Sequence, residues 1–156
     1  MIEFTAGDLL QSEEQYIAQG VAEGNQEGLG TGLALKISKK WPEVQTEFKK
    51  HARSGVFKGG KIWVCPPNED RFGVVYLATQ PDMYHATITY LRKALRSLVK
   101  WADSQDIASV GLPKIAAGLG KLSWEADVKP LMHAILADAR CRFVVYEFFK
   151  NEDELD

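Results

Sequence analysis

Residues 107–124 read IASVGLPKIAAGLGKLSW, and this stretch decides the fold class. A run of strand character passes through Pro113 into a loop with two glycines, and Ser123 is a suitable cap for a following helix. The succession of strand, glycine-rich loop and helix is typical of open α/β sheets, which bind ligands at the carboxyl ends of their strands. The stretch therefore predicts a ligand-binding edge.

A second loop of the same kind lies nearer the N-terminus. The apolar run Tyr16–Val21 leads into EGNQEGLGTG at 23–32, and a helix is predicted from Leu33 to Lys40. Glycines let a ligand approach the backbone, and free N–H groups at a helix start attract phosphate. Neither the P-loop pattern nor the dinucleotide fingerprint is present, so ordinary turns explain the loops equally well by pattern alone. Together the two loops suit a diphosphate.

The rest of the chain alternates strands and helices. Strands are predicted at 2–4, 61–65, 73–79, 107–112 and 142–149, and further helices at 42–54, 88–102 and 128–136. Such alternation predicts an α/β sheet with helices on both faces. We expect one domain over residues 1–150, followed by an acidic tail at 151–156.

Composition excludes several classes of protein. Of the 156 residues, 46% are hydrophobic and 26% charged, which excludes a disordered chain or a coiled coil. The formal net charge of −2 argues against generic nucleic-acid binding and leaves only a local basic patch for that role.

The remaining composition signals concern location and metals. Cys65 and Cys141 lie far apart in apolar runs, which predicts buried free thiols and no disulfide. No metal site is expected, because His51 and His133 lack ligand spacing with either cysteine. With no leader and no apolar stretch of about 20 residues, the chain is expected to be cytoplasmic and without a membrane partner.

Short motifs occur in order along nearly the whole chain and resemble the macrodomain family, which binds ADP-ribose. The similarity is to the branch that includes terminal ADP-ribose protein glycohydrolase and the ADP-ribose-1″-phosphate phosphatases. The matching pieces are GDLL at 7–10, GTGLA at 30–34, KKWP at 39–42, LAT at 77–79 with His85 downstream, LPKIAAGLGKLSW at 112–124 and VVY at 144–146. The resemblance implies a three-layer α/β/α fold with a central mixed sheet.

The resemblance also implies a role for individual residues. Asp8 would accept a hydrogen bond from the adenine amino group, with Leu9 beside it, and Tyr146 would pack against the adenine. The alternatives are a turn aspartate and a strand tyrosine whose hydroxyl is at the surface. The full ligand-binding set is Asp8, Leu9, Gln19, Gly20, Gly30, Thr31, Gly32, Leu33, Thr79, Gln80, Ile115, Ala116, Ala117, Gly118, Leu119, Gly120 and Tyr146.

The chain departs from the family at the catalytic positions. Where the glycohydrolase branch has a nucleophilic lysine and an assisting aspartate, this sequence has Gln80 and Gly120. An amide is a poor nucleophile, and glycine offers no acid or base. His85 and the loop acids Glu23, Glu27 and Asp82 are candidates to act on water instead, with solvated loop residues as the alternative. The catalytic residues therefore stay unknown.

Three functions follow from these observations. The first is a module that binds ADP-ribose, or ADP-ribosyl groups on a macromolecule, between the two glycine-rich loops. The second is a hydrolase of an ADP-ribose derivative, such as the 1″-phosphate or an O-linked ester, that activates water without a lysine. The third is a protein that sequesters a nucleotide signal derived from NAD. None of them requires a cofactor.

Overall fold

A computed structural model describes residues 1–24, 32–82, 84–117 and 120–148. In these ranges one sheet contains the strands β1 (Ile2–Ala6), β2 (Tyr16–Ala22), β3 (Ile62–Cys65), β4 (Gly73–Gln80), β5 (Ser109–Leu112) and β6 (Arg142–Phe148). The α-helices are α1 (Gly32–Lys40), α2 (Pro42–Arg53), α3 (Ile88–Ser104) and α4 (Lys129–Leu136). The predicted site residues Gly30, Thr31, Gly118 and Leu119 lie outside the described residues, as do Glu27 and the acidic tail.

The strand order determines where a site can form. The sheet runs β1-β6-β5-β2-β4-β3, and its neighbours are parallel except at one edge, where β3 is antiparallel to β4. Because β5, β2 and β4 are adjacent and parallel, the loops that follow them emerge at the same edge of the sheet. We call this edge, with the loops after β2 and β5, the two-loop edge.

Helices cover both faces of the sheet. On one face α3 and α4 bury a cluster that includes Leu91, Leu95, Leu98, Met132 and Phe143. On the other face α1 and α2 bury a cluster that includes Ile37, Val44, Phe48, Phe57 and Tyr76. Each such side chain contributes about 1.5–3 kcal/mol when it is fully buried. The predicted three-layer α/β/α fold with a mixed sheet is confirmed.

The helix ends follow local chemistry. Thr87 caps α3, since its hydroxyl accepts a hydrogen bond from the Tyr90 amide at 3.0 Å. Helix α2 begins at Pro42. Proline is suited to this place because a backbone N–H in the first turn has no acceptor within the helix. Before α4 the structure has a π-helical turn, Trp124–Val128, which the sequence did not predict. Pro130 explains it, because proline has no N–H to donate to the carbonyl four residues earlier.

Both cysteines are free and buried, as predicted. Burial raises the pKa of the Cys141 thiol to about 11, so this sulfur is a weak nucleophile at neutral pH. Within the described ranges no helix is both long and apolar enough to cross a membrane.

Candidate functional site

The backbone of β2 lies directly on neighbouring side chains at the two-loop edge. A Cβ atom added at Gly20 would lie 2.6 Å from Thr79 Oγ1 and 3.1 Å from Ile115 Cγ2. Only glycine permits this approach, and it brings the end of β2, the end of β4 and the loop after β5 together. Thr79 and Ile115 are almost completely buried, so they support Gly20 from beneath. Their assignment as ligand contacts stays a prediction.

The loop after β5 has a left-handed residue that is not glycine. Ala116 has a φ of 66°, a conformation that costs a residue with a Cβ atom roughly 1–2 kcal/mol. Glycine would adopt the same conformation without that cost. The amides of Ile115 and Ala117 donate to the carbonyls of Pro113 and Lys114, at 2.8 and 3.4 Å. Those two N–H groups are hydrogen-bonded within the loop. The predicted binding of an anion therefore depends on the other N–H groups of the loop.

Gly120 is enclosed by the same loop. A Cβ atom there would lie 2.5 Å from the Ala116 carbonyl oxygen and 2.9 Å from Ala86 Cβ. The Gly120 carbonyl accepts a hydrogen bond from the Ala86 amide at 2.9 Å, which fixes the loop against the segment before α3. The position expected for an assisting aspartate therefore has no room for a side chain.

Asp8 and Tyr146 lie together at the ends of β1 and β6. A Cβ atom added at Gly7 would be 3.4 Å from the Tyr146 ring, so the ring covers the backbone beside Asp8. Asp8 Oδ1 accepts a hydrogen bond from the Leu10 amide at 3.0 Å and caps a 3₁₀ turn at Leu9–Gln11. The turn role of Asp8 is thus real, and Asp8 directly follows the glycine whose backbone the Tyr146 ring covers.

The Tyr146 hydroxyl is hydrogen-bonded within the protein, unlike a tyrosine hydroxyl that only meets solvent. It donates a hydrogen bond to Glu14 Oε2 at 2.9 Å, and Glu14 is only 8% exposed. Burial raises the pKa of Tyr146, and the bond to Glu14 raises it further. Sequence reasoning missed Glu14, because an acid before a strand looks like a surface residue. The sequence offered one sign of a partner for this acid: Ser12 lies two residues before Glu14, and its hydroxyl donates a hydrogen bond to the Glu14 carboxylate.

Near the end of β4, the side chains of Gln80 and Glu23 are already hydrogen-bonded. Gln80, in the position expected for lysine, is 7% exposed and donates from Nε2 to the Asp82 carbonyl at 2.8 Å. Glu23 accepts from the Gly59 amide at 2.7 Å and from the Tyr90 hydroxyl at 3.1 Å, one bond to each oxygen. The bond to Glu23 raises the pKa of Tyr90. Glu23 was expected as a solvated or water-activating acid, and the structure shows a bridge between three segments.

Asp82 and His85 belong to the segment that enters α3. Asp82 Oδ1 accepts hydrogen bonds from the amides of Tyr84 and His85, at 2.7 and 2.9 Å, and these bonds hold the pKa of Asp82 below its usual value. The His85 ring lies 3.5 Å from the same oxygen and is two-thirds exposed. Both residues therefore organise the entry to α3 at the surface, and a catalytic role for either stays a prediction.

The other described members of the predicted set also lie at this edge or beneath it. Gly32 begins α1 with a φ of 56°, a left-handed conformation that suits glycine. Leu33 packs against the core under α1, and Gln19 is half-buried on β2. Leu9 is buried, and a Cβ atom added at Gly111 would lie 2.9 Å from its Cδ1 atom.

The model of the macro domain family matches residues 5–131. The chain belongs to the macro domain family. The match extends from β1 into α4, and so it includes both loops of the two-loop edge and the Asp8 turn. The family resemblance on which the site prediction depends is confirmed for this macro domain.

Relatives of this macro domain include named enzymes. The DNA ADP-ribosyl glycohydrolase of Mycobacterium tuberculosis is 28% identical over 139 residues, which cover 86% of this chain and 38% of the relative. The ADP-ribose glycohydrolase OARD1 of Bos taurus is 26% identical over 119 residues, covering 76% of this chain and 73% of the relative. The macro domain therefore spans about two fifths of the length of the first of these relatives.

Solved structures match the fold closely. The macrodomain of Mycobacterium tuberculosis DarG has a TM-score of 0.81 at 26% identity, covering 94% of this chain and 97% of that one. Thermosipho africanus DarTG in complex with ADP-ribose has a TM-score of 0.82 at 21% identity, covering 96% of this chain and 41% of that one. These structures support the three-layer architecture.

A cavity of about 150 Å³ lies away from the two-loop edge, at the amino ends of β5 and β6. Its acid Asp103 accepts hydrogen bonds from the amides of Arg140 and Cys141, at 3.4 and 3.1 Å. Over the ranges that the structure describes, no three His, Cys, Asp or Glu side chains cluster as metal ligands.

Proposed function

We propose that this macro domain binds ADP-ribose across the two-loop edge. The adenine lies beside Asp8 and Tyr146, the diphosphate between the two loops, and the distal ribose near the end of β4. The observation that carries this proposal is the close packing at Gly20, where an added Cβ atom would lie 3.1 Å from Ile115 Cγ2 in the loop after β5. The structural neighbour in complex with ADP-ribose supports it further.

The strand order supports this direction for the ligand. Tyr146 is on β6 and Gln80 ends β4, and these strands are separated by three strand spacings, or about 14 Å. A nucleotide joined through a diphosphate to a second sugar is long enough to extend over that distance, whereas a mononucleotide is not. Asp8 supplies a carboxylate acceptor for an exocyclic amine at the adenine end.

Hydrolysis is the second candidate, because the relatives are named glycohydrolases. Catalysis by lysine and aspartate has no basis here, since Gln80 is an amide and Gly120 has no space for a side chain. Glu23 and Asp82, the described acids near the end of β4, already accept backbone or hydroxyl hydrogen bonds. These contacts favour binding of an ADP-ribosylated macromolecule over its hydrolysis.

Calorimetric titration tests the proposal directly. We expect ADP-ribose to bind roughly tenfold or more tightly than AMP, which is a difference of about 1.4 kcal/mol or more. Equal affinities would refute the two-loop assignment.

A turnover assay separates binding from hydrolysis. The substrates are ADP-ribosylated single-stranded DNA and glutamate-linked ADP-ribosylated protein, with a lysine-bearing relative as the positive control. We expect no release of ADP-ribose above background from either substrate. Release of ADP-ribose at the rate of the control would contradict the proposal of binding alone and would show lysine-independent hydrolysis.

A further inference from the structure

Positive charge is concentrated in two segments of this acidic chain. Residues 54–68 and 83–102 contain six of the 19 Lys and Arg residues and none of the 21 Asp and Glu residues. These segments carry +6, although the whole chain carries −2. A local field of this kind attracts polyanions even when the net charge is negative.

The two segments are neighbours in the fold. A Cβ atom added at Gly60 would lie 2.5 Å from Lys93 Cβ, and Ser97 Oγ donates to the Gly60 carbonyl at 3.1 Å. The loop before β3 therefore lies along the outer side of α3. The exposed cations of this region are Lys58, Lys61, Lys93, Arg96 and Lys100, which we call the α3 basic surface.

These cations are available to a partner. Lys93, Arg96 and Lys100 follow one another at three- and four-residue spacing, so they form a stripe on α3. None of the five residues of the α3 basic surface forms an ion pair with another described residue. The adjoining carboxylate, Glu23, is already satisfied by the Gly59 amide and the Tyr90 hydroxyl.

The α3 basic surface starts at the two-loop edge. Gly24, in the loop after β2, donates from its amide to the Phe57 carbonyl at 3.1 Å, one residue before Lys58. Because β3 begins and α3 begins at this edge, the surface runs from the end of β4 down the outside of the molecule. Tyr84 lies in the segment that enters α3, and its side chain is among the few large apolar ones that are exposed, at 59%.

We propose that the α3 basic surface binds a single-stranded nucleic acid. Its cations contact successive phosphates, and the exposed Tyr84 ring stacks on a base, the combination by which proteins bind single strands without reading sequence. An acidic peptide would use the cations but has no bases to stack on Tyr84. This proposal rests on the proposed function. In it, the nucleic-acid strand continues from an ADP-ribosyl group whose distal ribose lies near the end of β4.

Fluorescence anisotropy with a labelled, unmodified single-stranded oligonucleotide tests the proposal without any ADP-ribosyl group. The test variant carries Lys93→Gln, Arg96→Gln and Lys100→Gln. The matched control carries Lys39→Gln, Lys40→Gln and Lys50→Gln, which remove the same charge from α1 and α2. Each protein is also titrated with ADP-ribose, so that failure of the proposed function is seen separately.

We expect the test variant to lose roughly tenfold or more in oligonucleotide affinity, and its salt dependence to fall by a slope of about 2, as for three lost phosphate contacts. The control should keep the affinity of the unaltered protein, and Tyr84→Ala should weaken binding at constant salt dependence. Absence of oligonucleotide binding, or equal losses in test and control variants, would overturn the proposal. Equal binding of poly-glutamate or of anionic lipid vesicles would overturn the assignment to nucleic acid.

Discussion

The two ends of the two-loop edge use similar polar residues in different ways. At the adenine end, Asp8 caps a turn through one oxygen, and the Tyr146 ring lies against Gly7 beside it in the chain. At the distal end, Gln80 and Glu23 make hydrogen bonds that hold segments of the protein together. Under the proposed function, the adenine end offers the Asp8 carboxylate to a ligand, whereas the distal end uses its polar groups for hydrogen bonds within the protein.

The largest expected effect concerns the distal end. Gly120→Asp should lower the free energy of unfolding by about 3 kcal/mol or more, because the new Cβ atom collides with the Ala116 carbonyl. Urea denaturation measures this loss.

Gly55→Asp is the matched control for Gly120→Asp. Gly55 has a φ of 81° and nothing within 4 Å of an added Cβ atom, so it reports only the cost of a left-handed backbone, about 1–2 kcal/mol. A Gly120→Asp protein as stable as this control would show that the distal end can accept the missing aspartate.

Glu23 gives the next largest effect. Glu23→Ala should destabilise the protein by about 1–3 kcal/mol, since the Gly59 amide and the Tyr90 hydroxyl both lose a charged acceptor. Tyr90→Phe, which removes one of these bonds, should lower the free energy of unfolding by about 0.5–1.5 kcal/mol. Full stability of Glu23→Ala would show that these two hydrogen bonds do not hold the segments together.

At the adenine end, affinity and stability can be separated. Asp8→Asn retains an oxygen to accept from the Leu10 amide, so its stability should stay near that of the unaltered protein. Its affinity for ADP-ribose should fall roughly tenfold, because an amide N–H then meets the amino group of adenine. Asp8→Ala should lose the cap as well, about 1 kcal/mol of stability. Unchanged affinity in both variants would leave Asp8 with its turn role alone.

The smallest expected effect is at Thr79. Its hydroxyl is buried without a hydrogen-bond partner among the described residues. Thr79→Val should therefore leave the free energy of unfolding unchanged or raise it, by at most about 1 kcal/mol. Affinity for ADP-ribose should stay within about twofold, a change under 0.5 kcal/mol. A clear loss of affinity would show that the hydroxyl reaches the ligand and that this floor residue belongs to the binding set.

The sequence predicted the fold well because apolar spacing and loop chemistry act locally. The stripe of α3, Pro42 at the start of α2 and the glycine-rich loops could be recognised without coordinates. The buried role of Glu14 and the bridging role of Glu23 could not, since their partners Tyr146 and Tyr90 are 132 and 67 residues away. Sequence spacing also gave no sign that Gly120 lies against the Ala116 carbonyl.

The alanine at position 116 has a consequence for the thermodynamics of ligand binding. A glycine there would visit many backbone conformations in the free protein, whereas Ala116 narrows that range. The backbone at Ala116 is therefore pre-organised, and under the proposed function a ligand has less conformational entropy to remove there when it binds. The strained torsion of Ala116, at a φ of 66°, thus lowers the entropic cost of association.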